Sequence, residues 1–188
     1  SGTLMITKIN KGIIISGGHG TRLNPLTSII SKQALPVFDK PMIYYPLAIL
    51  LLLKIRNILI VTDPNNILIF KKLLGNGKKF GIKIQYKIQN KPKGIAHALK
   101  ISKKFINKQK ICTILGDNIF YGQSLIENIK EGLKNFTGST IFGYYMKNPN
   151  NYGVIKFKKD KIVDIVEKPK KKISNFAIPG IYFFDEDL

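Results

Sequence analysis

The sequence predicts an α/β protein of three layers: a mostly parallel, mixed sheet flanked by helices, with a β-rich patch added toward the carboxyl end. Three observations predict it. Short, continuously apolar runs alternate with longer segments of helical period, as in strand–helix units whose parallel sheet is covered on both faces. Glycines stand where the first of these strands ends. After Asn151 the alternation gives way to short β segments broken by turn residues.

Lys11 to Ser16 is a buried strand running into Gly17-Gly18. Pro41 to Lys54 has helix length and is apolar nearly all round, so it should be buried. Ile58 to Thr62 is a second strand. Asn66 to Leu74 is a helix stopped by Gly75. From Ile82 to Ile88 the pattern alternates, with Ile82, Ile84, Tyr86 and Ile88 on one face. Ala96 to Ile106 is amphipathic, with Ala98, Ile101, Phe105 and Ile106 on one side. Ile111 to Leu115 is a strand, Ser124 to Leu133 a helix and Thr140 to Met146 a strand. Tyr152 to Lys158 and Lys161 to Val166 form a hairpin turning at Lys159-Asp160, and Ile178 to Phe184 one further strand. Residues 1–10 are expected to be a disordered or tag-derived N-terminus and residues 11–188 one domain.

Composition bounds the function. With 188 residues, 44% of them apolar, the chain can bury a sizeable core. Its single cysteine, Cys112, lies in an apolar run and reads as core filler in a reducing compartment. The longest apolar stretch, Leu47 to Leu53, is too short to span a membrane. The N-terminus lacks a signal peptide's charged start and apolar centre. These features lead us to expect a cytoplasmic protein without membrane contact. The net charge of +20 invites a nucleic-acid reading. However, Arg22 and Arg56 are the only arginines among 31 basic residues, whereas nucleic-acid readers lean on arginine for bidentate contacts. The lysines are spread along the chain, which suits solvated helix faces and a general attraction for anions. No nucleic-acid partner is expected.

The run Gly17-Gly18-His19-Gly20-Thr21-Arg22-Leu23 directly follows the first strand. Glycines there permit positive φ and let backbone N–H groups approach an anion. Thr21 adds a hydroxyl donor, and Arg22 a planar fork suited to phosphate oxygens. No Gly-Lys-Ser/Thr follows, so it is not a Walker A loop; nor is it a Gly-x-Gly-x-x-Gly dinucleotide loop. Ligands of such folds bind at the carboxyl ends of the strands. The second loop so placed is Gly116-Asp117-Asn118.

Farther on come Pro25-Leu26-Thr27, Ser31-Lys32-Gln33-Ala34-Leu35-Pro36, Phe38-Asp39-Lys40-Pro41-Met42-Ile43-Tyr44-Tyr45-Pro46 and Leu115-Gly116-Asp117-Asn118-Ile119-Phe120-Tyr121-Gly122. With the first loop, these motifs resemble the sugar-1-phosphate nucleotidylyltransferase family, from about Lys11 to Leu188, and within it the thymidylyltransferases. The resemblance implies a Rossmann-like nucleotidyltransferase fold. It further implies condensation of dTTP with glucose-1-phosphate to dTDP-glucose and pyrophosphate, feeding deoxysugar synthesis of the dTDP-rhamnose type. Magnesium is the implied cofactor, and a homo-oligomer, a tetramer in the full-length form, the implied assembly.

The implied roles follow. Gly17, Gly18, Gly20, Thr21, Arg22 and Gln33 would hold the nucleotide, with Gln89 and the Gly94 backbone on the pyrimidine edge. Arg22 and Lys32 would offset phosphate charge, and Asp117 would hold Mg²⁺. Tyr152-Gly153, Glu167, Lys168, Asn118, Ile178 through its backbone, and Tyr182 would form the sugar-phosphate side, with Lys168 on the phosphate. Plainer readings stand beside these: a turn cap for Asp117, a solvated Lys32, a loop amide for Gln89 and a surface ion pair for Glu167 and Lys168. No acid–base role falls to His19 or His97. Ser16, His19 and Pro179 depart from the family's usual wording. Members of the family also continue beyond the point matching Leu188, into a segment supplying a second metal aspartate, further sugar contacts and part of a subunit interface. Two alternatives remain open: use of UTP, and a non-catalytic module binding sugar nucleotides.

Overall fold

The computed structural model describes residues 9–17, 32–91, 93–119, 124–134, 136–159 and 161–188. Six strands form the main sheet. β1 (Lys11–Ser16), β4 (Asn57–Thr62), β5 (Lys83–Ile88) and β6 (Ile111–Leu115) run parallel, and β12 (Ile181–Phe184) and β7 (Ser139–Ile141) complete the sheet beyond β6. The order is β5-β4-β1-β6-β12-β7, with β12 antiparallel to both neighbours. β4 and β5 are laid down on one side of β1, and β6 on the other. The strand order therefore reverses between β1 and β6, and a crevice opens beyond their carboxyl ends.

Alternate residues of these strands feed two cores. Ile14, Ile58, Ile60, Cys112 and Ile114 face one way and pack with α1 (Tyr44–Leu52), α2 (Ile67–Leu74) and α5 (Leu125–Gly132). Ile13, Ile15, Leu59, Val61 and Ile111 face the other way, against α3 (Gly94–Ile101) and α4 (Lys103–Ile106). Both faces of the sheet are thus covered, as the continuous apolar runs require. Cys112 is fully buried, and burial pushes its thiol up, so it is inert filler. Gly12 shows how tightly α1 sits: a Cβ there would come within 2.7 Å of Leu50 Cδ1.

A second sheet of order β10-β9-β11-β8 is the added β-rich patch. It contains β8 (Tyr144–Tyr145), β9 (Gly153–Lys158), β10 (Lys161–Glu167) and β11 (Phe176–Ile178). A small hairpin of β2 (Pro36–Val37) and β3 (Lys40–Pro41) precedes α1.

Four expectations are corrected. The strand expected over 140–146 is two strands in different sheets, because the chain leaves β7 at Phe142-Gly143 to enter β8. A Cβ on Gly143 would stand 3.0 Å from Ile155 Cδ1, so the crossing is tight and a side chain there would displace Ile155. The strand expected over 178–184 likewise splits into β11 and β12. Pro179 lacks the N–H a ladder needs, and Gly180 takes φ +71°. The helix expected over 96–106 starts earlier and breaks at Ser102, whose hydroxyl donates to the Ala98 carbonyl at 2.7 Å. Finally, Ile88 is exposed, unlike Ile82 and Ile84, because it is the last residue of β5 and lies beyond the core that covers Ile82 and Ile84.

Candidate active site

The carboxyl ends of the parallel strands are tied into one row. The Thr62 hydroxyl donates to the Ser16 carbonyl at 3.0 Å, and the Gln89 N–H donates to the Thr62 carbonyl at 2.8 Å. On the other flank the Gly116 N–H donates to the Ile15 carbonyl at 2.8 Å. Gly17, Gln89 and the Gly116-Asp117 turn therefore share one edge, across the point where the strand order reverses.

Gln89 is not an exposed loop amide: only 6% of it is accessible. Its Nε2 lies 2.8 Å from His97 Nδ1 and 3.5 Å from the Gly94 carbonyl oxygen. Its Oε1 stands 3.8 Å from where a Cβ on Gly17 would be. Gly94 opens α3 at φ +79°, a conformation that favours glycine, and space lies open above it. Gln89, Gly94 and Gly17 are thus brought together as expected.

Lys32 and Gln33 sit on a short 3₁₀ turn, Lys32–Ala34. Gln33 is buried, with its Cγ 3.3 Å from the position of a Gly116 Cβ; Ser16 Cβ and the Ile15 carbonyl crowd the same point at 3.2 and 3.1 Å. A side chain at 116 would push the turn away. Glycine there lets Lys32 Nζ meet Asp117 Oδ2 at 3.3 Å, with both side chains about a third exposed (30% and 39%). A cation and a carboxylate thus stand side by side at the reversal point. Among the described residues no three metal-ligating side chains cluster. The donor set suits a hard cation shared between one carboxylate and a ligand's phosphates, not a cage made by protein alone.

Next to Asp117 opens a cleft of about 520 Å³ between the Asp117-Asn118 turn, α5 and the second sheet; Asn128, Phe142, Tyr144, Met146 and Tyr152 are among its lining residues. Asn118 crosses to the second sheet, where its Nδ2 donates to the Pro179 carbonyl. Glu167, Lys168, Gly153, Ile178 and Tyr182 gather nearby without lining the cleft. Ile178 pairs with Gly153, and a Cβ on Gly153 would sit 3.3 Å from Glu167 Oε2. The Lys168 N–H donates to the Tyr152 carbonyl at 3.0 Å, and Lys168 itself takes φ +44°. Burial, and then the Glu167 charge, push the Tyr182 phenol up, so it stays protonated as a donor. Glu167 and Lys168 form only an exposed pair at 3.8 Å, as the plain reading has it.

Gly18, His19, Gly20, Thr21 and Arg22 lie outside the described residues. Two features escaped sequence reasoning: His97 as the partner of Gln89, and the apolar wall made by Phe142, Tyr144 and Met146. No spacing in the sequence signals the first, because it depends on how α3 packs beside the end of β5.

Fold and site define an α/β protein with buried amides and a cation–carboxylate pair at a strand-order reversal, where such folds bind ligands. Comparison with known proteins gives the family. A family model described as nucleotidyl transferase matches residues 11–188. Glucose-1-phosphate thymidylyltransferase of Neisseria meningitidis is 49% identical over 176 residues, 93% of this chain and 61% of the relative. The enzyme of that name from Mycobacterium tuberculosis is 45% identical over 179 residues, 95% of this chain and 62% of the relative. Among solved structures, a Bacillus anthracis protein provisionally assigned as a glucose-1-phosphate thymidylyltransferase, in complex with a sucrose, superposes with a TM-score of 0.87. It is 36% identical and covers 94% of this chain and 72% of its own. A UDP-glucose pyrophosphorylase complexed with UDP-glucose shares the fold at 24% identity and a TM-score of 0.79, over 96% of this chain and 77% of its own. The chain belongs to the nucleotidyl transferase family. It spans about three fifths of the length of the curated relatives it matches. No helix among the described residues is long and apolar enough to cross a membrane.

Proposed function

We propose that this chain carries the nucleotide-joining centre of a glucose-1-phosphate thymidylyltransferase. The observation that carries the reading is the Lys32–Asp117 pair, set between the Gln89 edge and the cleft beside the second sheet. Two multiply anionic substrates could meet there with a cation and a metal-binding carboxylate at their junction. The relatives' names support glucose-1-phosphate and a thymidylyl donor; in this reading dTTP lies on the Gln89 side and glucose-1-phosphate on the side of Tyr152, Glu167 and Lys168.

In the proposed reaction, a phosphate oxygen of glucose-1-phosphate attacks the α-phosphorus of dTTP. A new P–O bond forms while the bond to the β-phosphate oxygen breaks, and pyrophosphate leaves. Alignment and charge neutralisation do most of the catalysis. Lys32 offsets the charge of the triphosphate and of the departing pyrophosphate, a role the family resemblance also gives to Arg22. Lys168 holds the sugar's phosphate, and Glu167 accepts from sugar hydroxyls. Asp117 would hold magnesium, which would supply charge neutralisation for the phosphates. Location in the cytoplasm, a homo-oligomeric full-length form and a product consumed in deoxysugar synthesis belong to the same reading.

Pyrophosphate release from glucose-1-phosphate and dTTP with magnesium, assayed on this chain and on a full-length form, tests it. The expected result is release that requires all three. Arg22→Ala should slow it about a hundredfold or more, the loss of a transition-state charge partner. If nucleotide binds but both forms release no pyrophosphate, the chain is a binding module instead.

A further inference from the structure

Gln89 directly follows β5 and is buried, and the direction of its carboxamide decides what a base would meet. The group donates at Nε2 and accepts at Oε1, and a half-turn exchanges the two. Two neighbours address one end of it. The Gly94 carbonyl can only accept, but it is distant at 3.5 Å. His97 Nδ1, at 2.8 Å, is the stronger partner. A carbonyl beside the same amide end favours nitrogen there, which makes Nδ1 the acceptor. The ring is then neutral, with its proton on Nε2. His97 is itself held by α3, where the next residues, Ala98 and Leu99, are buried in the core. With the nitrogen so engaged, Oε1 is turned toward Gly17.

We propose that His97 is a positioning residue for base choice: its neutral ring, accepting at Nδ1, holds Gln89 with the carboxamide oxygen presented to the nucleotide side. The site then offers an acceptor. It favours a pyrimidine whose ring N3 carries hydrogen, thymine or uracil, over cytosine, whose N3 is bare. This rests on the reading of Gln89 as the base contact and adds what sets its polarity. Nothing in the local sequence of Gln89 does so, since a lone amide in a loop turns freely.

Calorimetric titration of dTTP and dCTP into this chain tests it, with Gln89→Ala, His97→Phe and His97→Gln alongside. The unmodified chain should prefer dTTP. His97→Phe keeps a ring but has no acceptor, and the preference should fall roughly fivefold to tenfold, the value of one hydrogen bond. His97→Gln can accept through its own oxygen and should retain most of the preference. The ratio of the two affinities is the readout, because a merely structural loss weakens both nucleotides alike. Should His97→Phe not fold, loss of preference in His97→Gln would overturn the proposal by itself. If Gln89→Ala abolishes the preference and His97→Phe leaves it intact, the role of His97 is wrong and the base contact stands. If Gln89→Ala changes nothing, or the unmodified chain shows no preference, the base contact fails and this proposal with it.

Discussion

The two sides of the candidate site are built in opposite ways. On the main-sheet side the polar groups are buried and tied: Gln33 and Gln89 are 3% and 6% exposed, and the strand ends are linked through Thr62. On the second-sheet side the Glu167 and Lys168 side chains stand 72% and 60% exposed, 3.8 Å apart. Turning a buried amide away from its partner costs about 1–3 kcal/mol, so the first side is shaped before a ligand arrives. An exposed ion pair is worth at most about 1 kcal/mol, so a phosphate can replace Glu167 as the partner of Lys168 with little loss. The first side presents fixed polar groups; the second leaves its charges free to exchange partners.

Asp117→Asn attacks the junction of the two sides and should have the largest effect. The rate of pyrophosphate release is expected to fall about a hundredfold or more, on the scale of losing a charge partner in a preorganised site. Thermal stability should hardly move, because the Lys32 pair is partly solvated. A rate within a few-fold of the unmodified chain would mean that phosphate charge is handled elsewhere.

The joint between the sheets comes next. Gly180 takes φ +71°, and a Cβ there would collide with Asn118 Nδ2 and approach Leu115 Cδ1 to 2.9 Å. Gly180→Ala should therefore cost about 2–3 kcal/mol, read from the urea midpoint. It would also pull Asn118 off the Pro179 carbonyl. An unchanged midpoint would show that the joint gives way easily and that the two sides are less firmly coupled than their contacts imply.

Lys168→Ala probes the exposed side alone. Losing one charged hydrogen bond should raise KM for glucose-1-phosphate about tenfold or more, while dTTP affinity stays as it was. If KM does not change, Lys168 has no part in holding the sugar phosphate.

The same contrast explains what could be read from sequence. β1, β4 and β6 are buried on both faces, so they appear as unbroken apolar runs, and the glycines mark where they end. Gln89, Lys32 and Asp117 follow such runs or stand in motifs, and the fold brings them to one edge. The second sheet was harder. Alternation continues through Phe142-Gly143 and Pro179-Gly180 because both sheets want apolar residues on one face. Which sheet each half joins is settled by tertiary packing. The link between Gln89 and His97 depends on how α3 is rotated against β5, which no spacing alone fixes.

The smallest effect lies on the buried side and depends on pH. Tyr86, on β5, donates its one hydroxyl proton to the Gly75 carbonyl at 2.6 Å, with the Phe70 carbonyl 3.2 Å away, and burial pushes its phenol up from 10.0 to about 12. In the unfolded chain the phenol ionises near 10, so between pH 10 and 12 the folded state holds the proton that the unfolded state has lost. Its contribution is fully present below pH 10 and fades as pH climbs toward 12. Tyr86→Phe should lower the urea midpoint modestly at pH 8, and the gap between the two proteins should narrow as pH rises. Other tyrosines titrate in both proteins and cancel in that difference. Because Tyr86 is only half-buried, solvent screens part of the effect and the narrowing will be small. A gap that stays constant up to pH 12 would mean that Tyr86 supports β5 by packing alone, and that its hydrogen bond to the turn after α2 does not help fix the edge strand that precedes Gln89.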